Sequence, residues 1–149
     1  MRGHTDRVDV TVWVDEWQFD CCGEPFGVGS VVSWRIGPTS DFLADMLGPG
    51  AGVTIDAFED HHIGLPAGTP PTRGTVLAIH GAYQRYAHRG KGDPTRYPVS
   101  GSGVLVPLAR AKRFQEDRDD LTFMGYVVRL SVPGPWPVPK AKRRRGPGT

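Results

Sequence analysis

The sequence predicts a mainly β protein: a small antiparallel barrel or rolled sheet of five to six strands, with one short helix and a disordered basic C-terminal tail. Three observations carry this. Apolar residues alternate with a period of two in several short runs, which is the signature of half-buried strands. The 149 residues include 20 Gly and 14 Pro, enough to break the chain into short elements joined by turns. Only one stretch has helical spacing. Short strands punctuated in this way favour a barrel or rolled sheet.

Residues 1–7 are polar and expected to fray. In residues 8–14, Val8, Val10, Val12 and Val14 share one face while Asp9, Thr11 and Trp13 take the other, a half-buried strand. Gly23 and Pro25 keep the following segment irregular. Gly27-Val28-Gly29 leads into a second strand, residues 31–36, with Val32, Trp34 and Ile36 on one side. Gly37-Pro38 stops it. Residues 40–47 read as the helix: Thr39 or Ser40 caps it, Asp41 suits its positive end, and Phe42, Leu43, Met46 and Leu47 form one stripe.

Gly48-Pro49-Gly50 ends that helix, and residues 53–58 form a third strand running into Glu59-Asp60-His61-His62. After a Pro/Gly/Thr loop, residues 75–82 make a fourth strand that can continue through Tyr83 and Tyr86. Residues 88–102 read as a polar loop, mobile and rich in Gly and Arg. Residues 104–109 form a fifth strand that Pro107 confines to an edge. Residues 123–132 are the sixth, with Met124, Tyr126, Val128, Leu130 and Val132 on one face. The chain thus divides into a β-rich domain, 8–132, and a Pro-rich, basic tail, 133–149, that offers nothing to bury.

The formal net charge of +2 conceals segregation: residues 1–60 carry −8, residues 61–115 carry +7, residues 116–132 carry −2 and the tail +5. Opposite-signed halves of one domain more often attract each other than advertise a polyanion partner. No window resembles a secretory leader or a membrane span, and the only two cysteines are adjacent, so they staple no distant segments. The expectation is a soluble, cytoplasmic protein with reduced thiols and no membrane partner.

Residues 17–26 form the most specialised stretch, Trp-Gln-Phe-Asp-Cys-Cys-Gly-Glu-Pro-Phe. With Gly29, Val32 and Trp34, then Glu59, His61-His62, Gly64 and the strand opening Gly74-Thr75-Val76, it resembles an actinobacterial family, Domain of unknown function 6578. Its signature is Trp-Gln-x-x-Cys-Cys-Gly-x-Pro-Phe. Gly101-Ser102-Gly103 and Gly125-Tyr126 belong to the same resemblance, which spans residues 8–132 and excludes the tail. The family pattern pairs the two histidines with a preceding acidic residue, supplied here by Glu59 and Asp60. The resemblance implies domain limits and lends no mechanism.

Cys21, Cys22, His61 and His62 form the chemistry-bearing cluster, with Glu59, Asp60 or Asp20 as an oxygen donor. Thiolate and imidazole together suit zinc. The spacing departs from zinc motifs, because adjacent side chains on an extended segment point apart and both reach one ion only through a sharp turn. The structural alternative is a buried cysteine packed as a small apolar group beside histidines bonded to carboxylates. A third reading is a Cys–His nucleophilic pair oriented by Glu59 or Asp60. The antiparallel pairing of strands 31–36 and 53–58 would bring the two segments together.

Arg85, Arg89, Lys91 and Arg96, interleaved with Tyr83, Tyr86 and Tyr97, suit a single nucleic-acid strand. Lys140, Lys142, Arg143, Arg144 and Arg145 add a non-specific electrostatic handle. His80 reads as structural, and Gly101-Ser102-Gly103 as a turn into a strand. The leading functional reading is a non-catalytic binding or interaction module, with a protein partner and a Cys/His-lined face. The alternatives are a zinc-type or Cys–His hydrolytic enzyme on the same residues, and a weak nucleic-acid binder.

Overall fold

The computed structural model describes residues 6–16, 19–20, 23–38, 53–59, 68–99 and 101–136. Within them lie ten strand segments: β1 (Arg7–Asp15), β2 (Phe26–Gly27), β3 (Val31–Trp34), β4 (Ile36–Pro38), β5 (Ala57–Glu59), β6 (Thr72–His88), β7 (Arg96–Pro98), β8 (Val104–Leu108), β9 (Arg110–Ala111) and β10 (Leu121–Pro133). The expected helix at 40–47 falls outside the described residues.

Three long strands make the frame. β1 pairs antiparallel with β10 from Arg7↔Pro133 to Asp15↔Gly125, and β10 pairs antiparallel with β6. The far edge of β6 receives β3, β8 and β7 in succession. The far edge of β1 receives β5 in parallel, and β5 pairs antiparallel with β4. The sheet order is β3-β6-β10-β1-β5-β4. Its two end strands, β3 and β4, are separated in the chain by Arg35 alone. One run of chain, 31–38, therefore ties both margins together, which is how the sheet becomes a nearly closed barrel. The short pair β2 and β9 forms a second sheet.

The valine face of β1 lies in the core, where Val10, Val12 and Val14 pack with Phe19, Phe26, Ile36, Ile79, Tyr83, Phe123, Tyr126, Val128 and Leu130. Trp13 points the other way, yet it is only 5 % exposed. It anchors a second cluster with Ile55, Ala82 and Val127, flanked by Phe58, Leu105 and Met124. Alternation alone would have left this indole in solvent.

Two irregularities shift the apolar phase. Between Phe123 and Gly125 the β10 register slips by one residue, so Phe123 and Tyr126 both enter the core while Met124 joins the outer cluster. The expected placement of Met124 beside Tyr126 is corrected by this bulge. The second slip, opposite Arg129/Leu130, lets Val76 and Ile79 share the core face. Gly125 is required where it stands: at φ +157, an added Cβ would meet the Val14 carbonyl oxygen at 2.5 Å and the Trp13 ring at 2.8 Å.

Strand β6 continues through Tyr83 and Tyr86 to His88, and β7 pairs with its end, so His88 and residues 96–98 of the expected 88–102 loop belong to a β-ribbon. The packed region also extends beyond residue 132. Gly134 N–H donates to the Asp6 carbonyl at 2.8 Å, and Trp136 packs against the core. Residues 137–149, with the five tail cations, fall outside the described residues.

Candidate functional site: the groove beside the cysteine segment

Of the expected ligands, Cys21, Cys22, Asp60, His61 and His62 fall outside the described residues. Glu59 and Asp20 are described. No group of three metal-ligating side chains forms among the described residues.

The residues bracketing the cysteine pair are tightly held. Phe19 is 2 % exposed and packs edge-on against Phe26 at 5.8 Å and Tyr126 at 5.5 Å between centroids. Gly23 N–H donates to the Phe19 carbonyl at 2.8 Å. A Cβ at Gly23 would fall 2.1 Å from the Phe19 ring, so glycine is the residue that fits. From the other side, Arg113 Nε donates to the Gly23 carbonyl at 2.7 Å and Phe114 N–H donates to Asp20 Oδ1 at 2.8 Å. Asp20, expected as an oxygen ligand, thus serves as a brace.

That brace is fixed from within the barrel. Tyr126 Oη donates to the Lys112 carbonyl at 2.7 Å, accepts from Lys112 N–H at 3.0 Å and lies 3.1 Å from Gln115 Oε1. Burial pushes the Tyr126 phenol up to about 12, because a phenolate has no solvent there. Phe114 adopts φ +58, a left-handed conformation that disfavours an aromatic residue, and its side chain is 70 % exposed. Nothing in the residue types signalled this loop, because its partners lie far away in sequence.

Immediately after Gly23 the chain lines a groove of about 340 Å³, formed by residues 24–26 and 30–34. The Phe26 and Trp34 rings meet edge-on at 5.1 Å. Ser30 Oγ accepts from Gly27 N–H at 3.0 Å and Gly29, at φ +92, completes the tight turn between the groove's two segments. Val28 and Val31 are 53 % and 54 % exposed. The groove therefore combines an aromatic pair, serine hydroxyls, an exposed Glu24 and an exposed aliphatic margin.

β5 precedes the histidine segment in the chain. β5 ends at Glu59, which pairs with Ile36, two residues beyond the groove residue Trp34. The antiparallel pairing expected between these regions is present, at Ile36–Pro38; Val31 instead pairs with Thr75 of β6. Glu59 is 2 % exposed and already engaged in an interaction within the fold.

A separate group of carboxylates gathers where β1 ends. The Glu16 carboxyl is raised by burial first, then by Asp20, Asp15 and Asp117. Tyr86 is raised by burial, then by Glu16 and Asp15. Asp117 Oδ1 accepts from Phe123 N–H at 2.8 Å, so part of this group is structural.

The expected stacking platform is corrected. Tyr83 is fully buried because alternation along β6 turns it inward onto Phe123. Tyr86 Oη contacts Met124 Sδ at 3.4 Å, and the Arg89 guanidinium lies 3.9 Å above the Tyr97 ring. His80 is half-buried on β6, and His88 Nδ1 lies 3.2 Å from the Thr95 carbonyl. Gly101, at φ +77, turns the chain toward β8 as expected, with Ser102 Oγ donating to the Val99 carbonyl. No helix among the described residues is long and apolar enough to cross a membrane.

Comparison with known proteins gives one family. The family model described as a family of unknown function, DUF6578, matches residues 8–132. No curated protein and no solved structure matches the chain.

Proposed function

The chain belongs to the DUF6578 family, and from that premise we propose that it is a non-catalytic binding module of the cytoplasm whose binding face is the groove at residues 24–26 and 30–34. The observation that carries this is the groove itself: an aromatic pair and an exposed aliphatic margin on a barrel wall held by hydrogen bonds. Such a mixture suits recognition of an extended peptide, with apolar anchors in the depression and hydroxyls at its side. In the chain, Gly23 follows Cys21-Cys22 and precedes the groove residue Glu24, and Glu59, which pairs with Ile36, precedes His61-His62 with one residue between. A Cys/His-lined margin to this groove, from Cys21, Cys22, His61 and His62, is part of the reading.

The test is a titration of the isotope-labelled full chain with a degenerate library of short extended peptides. Amide shifts centred on residues 24–34 are expected, and Ser33→Phe, at an exposed position, should abolish them without altering the unfolding midpoint. Shifts that map elsewhere, or binding that survives Ser33→Phe, would overturn the reading.

A second reading uses the same cysteines and histidines. Cys21, Cys22, Asp60, His61 and His62 would supply thiolate, carboxylate and imidazole ligands suited to zinc. Glu59, buried and already engaged within the fold, would be a second carboxylate donor. Elemental analysis of the purified chain decides it: one zinc per chain, lost on replacing both cysteines by serine, supports a metal site. Absence of stoichiometric metal after zinc loading removes it.

A further inference from the structure

The β6–β7 ribbon has no role in the groove. The last β10 residue paired with β6 is Leu121, opposite Arg85. Beyond it, Tyr86, Ala87 and His88 pair with Pro98, Tyr97 and Arg96, with no second strand alongside among the described residues. The ribbon therefore projects past the barrel, and Arg85, Arg89, Lys91 and Arg96 are all exposed. Asp93 is the sole acid in residues 85–99, and its Oδ1 is taken by Thr95 N–H at 3.0 Å.

We propose that this ribbon is a docking element for double-stranded nucleic acid, engaging the phosphate backbone without reading sequence. Charge complementarity is the first argument: Arg89, Lys91 and Arg96 concentrate positive charge at the distal end of an otherwise acidic body. Shape is the second. Two strands about 5 Å apart with their side chains make a ribbon of a width that the major groove, about 12 Å wide, admits. The groove walls then place phosphates on both sides of the tip.

Rigidity is the third argument. Arg96 Nη2 donates to the Tyr86 carbonyl at 2.8 Å, Arg89 lies on Tyr97, and His88 approaches Thr95, so less ordering remains to be done on binding. The duplex is favoured over a single strand because no ribbon tyrosine offers bases a ring open on both faces. Tyr83 is buried, Tyr86 is half-buried and Tyr97 is covered on one face by Arg89. The carboxylates of Asp15 and Glu16 lie near Tyr86 at the foot of the ribbon and repel phosphate there. Contact is thereby confined to the tip, with about three phosphates neutralised.

The experiment uses the full chain with Lys140, Lys142, Arg143, Arg144 and Arg145 all changed to Gln, so that the tail contributes nothing. Fluorescence anisotropy with a mixed-sequence duplex is read across a salt series. The logarithm of affinity should fall with the logarithm of salt at a slope of about −2 to −3. Adding Arg89→Gln and Lys91→Gln should weaken binding about tenfold or more at low salt and shrink the slope by about 2. Arg129→Gln, at an exposed position on the barrel where Arg129 pairs with Asp9, should change the slope by much less. A single strand of equal length should bind more weakly. The proposal is overturned if the duplex does not bind at low salt, if the ribbon changes leave affinity unaltered, or if the single strand binds as well. Polyglutamate displacing the duplex charge for charge would also overturn it, assigning the ribbon to acidic proteins.

Discussion

Tyr83 and Tyr126 offer one substitution with two opposite outcomes. Both are fully buried, and both rings pack edge-on against Phe123, at 5.5 and 4.9 Å between centroids. Tyr→Phe removes only the hydroxyl in each case. At Tyr126 that hydroxyl holds both backbone groups of Lys112, at 2.7 and 3.0 Å. At about 0.5–1.5 kcal/mol net per bond, Tyr126→Phe should cost about 1–3 kcal/mol. Tyr83 Oη is buried with no hydrogen-bond partner among the described residues. An unpaired buried hydroxyl costs about 1–3 kcal/mol, so Tyr83→Phe should be neutral or stabilising by up to that amount.

Urea unfolding followed by circular dichroism measures both, and the slopes should match wild type because exposed area is unchanged. Alkaline pH adds an independent check. The folded-state pKa of Tyr126, at about 12, lies above its reference of 10.0. The folded chain therefore retains a proton that the unfolded chain releases. Its contribution is fully present below pH 10 and is lost as pH rises toward about 12. Tyr126→Phe should flatten that decline. Equal destabilisation by the two substitutions would refute the assignment of Tyr126 as the brace.

Gly125→Ala should destabilise by about 1–3 kcal/mol or more and redden tryptophan emission, since the new methyl displaces Trp13 from its cluster; a cost under about 0.5 kcal/mol would discount the close approach. Glu16 has a raised pKa, so its stabilising effect is complete below the reference value of 4.5 and is lost as pH rises through the folded value. Glu16→Gln should therefore raise the urea midpoint at neutral pH and leave it nearly unchanged under acid conditions. Trp136→Ala should cost about 1–3 kcal/mol, because Trp136 packs against the core. A deletion beginning at Gly134 should cost at least as much, and one beginning at Pro137 much less.

The parts of the fold legible in sequence were those where periodicity is local. The β1 valines alternate without interruption and enter the core as the pattern implies. Pro107 marks β8 as a strand paired only with β6. The phase of β10 was not legible, because a bulge at Met124 has no residue-level signature apart from the glycine beside it. The depth of Trp13 and the burial of Tyr83 depend on neighbours distant in sequence, so alternation could place the one only opposite the valine face, and the spacing of aromatic and basic residues made the other a platform. At the candidate site, Gly23 was legible only as a break in regular structure; the role it plays, admitting the Phe19 ring, is tertiary. The braces from Arg113 and Phe114 to the cysteine segment span about ninety positions, beyond the reach of any local pattern.

Closure of the barrel gives the last prediction. β3 and β4 are the two margins of the sheet, yet only Arg35 stands between them. A six-residue Gly/Ser insertion after Arg35 would let β3 stay on β6 while β4 and β5 part from it. Lengthening a connection costs little by itself, about 0.6 kcal/mol per doubling, so the same insertion after Gly90, in the exposed turn of the ribbon, serves as the control. At Gly90 the turn joins strands already paired beside each other, and the insertion should shift the urea midpoint slightly. At Arg35 it slackens the short covalent tie between opposite margins, and Ile36 loses its fixed place in the core. The expected result is a loss of about 2 kcal/mol or more, in the range for vacating a buried aliphatic side chain. Hydrogen exchange should rise first in residues 57–59, whose pairing partners are the short β4 and two residues of β1. Equal costs for the two insertions, or exchange that rises uniformly, would show that the margins are held by the sheet's own curvature and that residue 35 is an ordinary link.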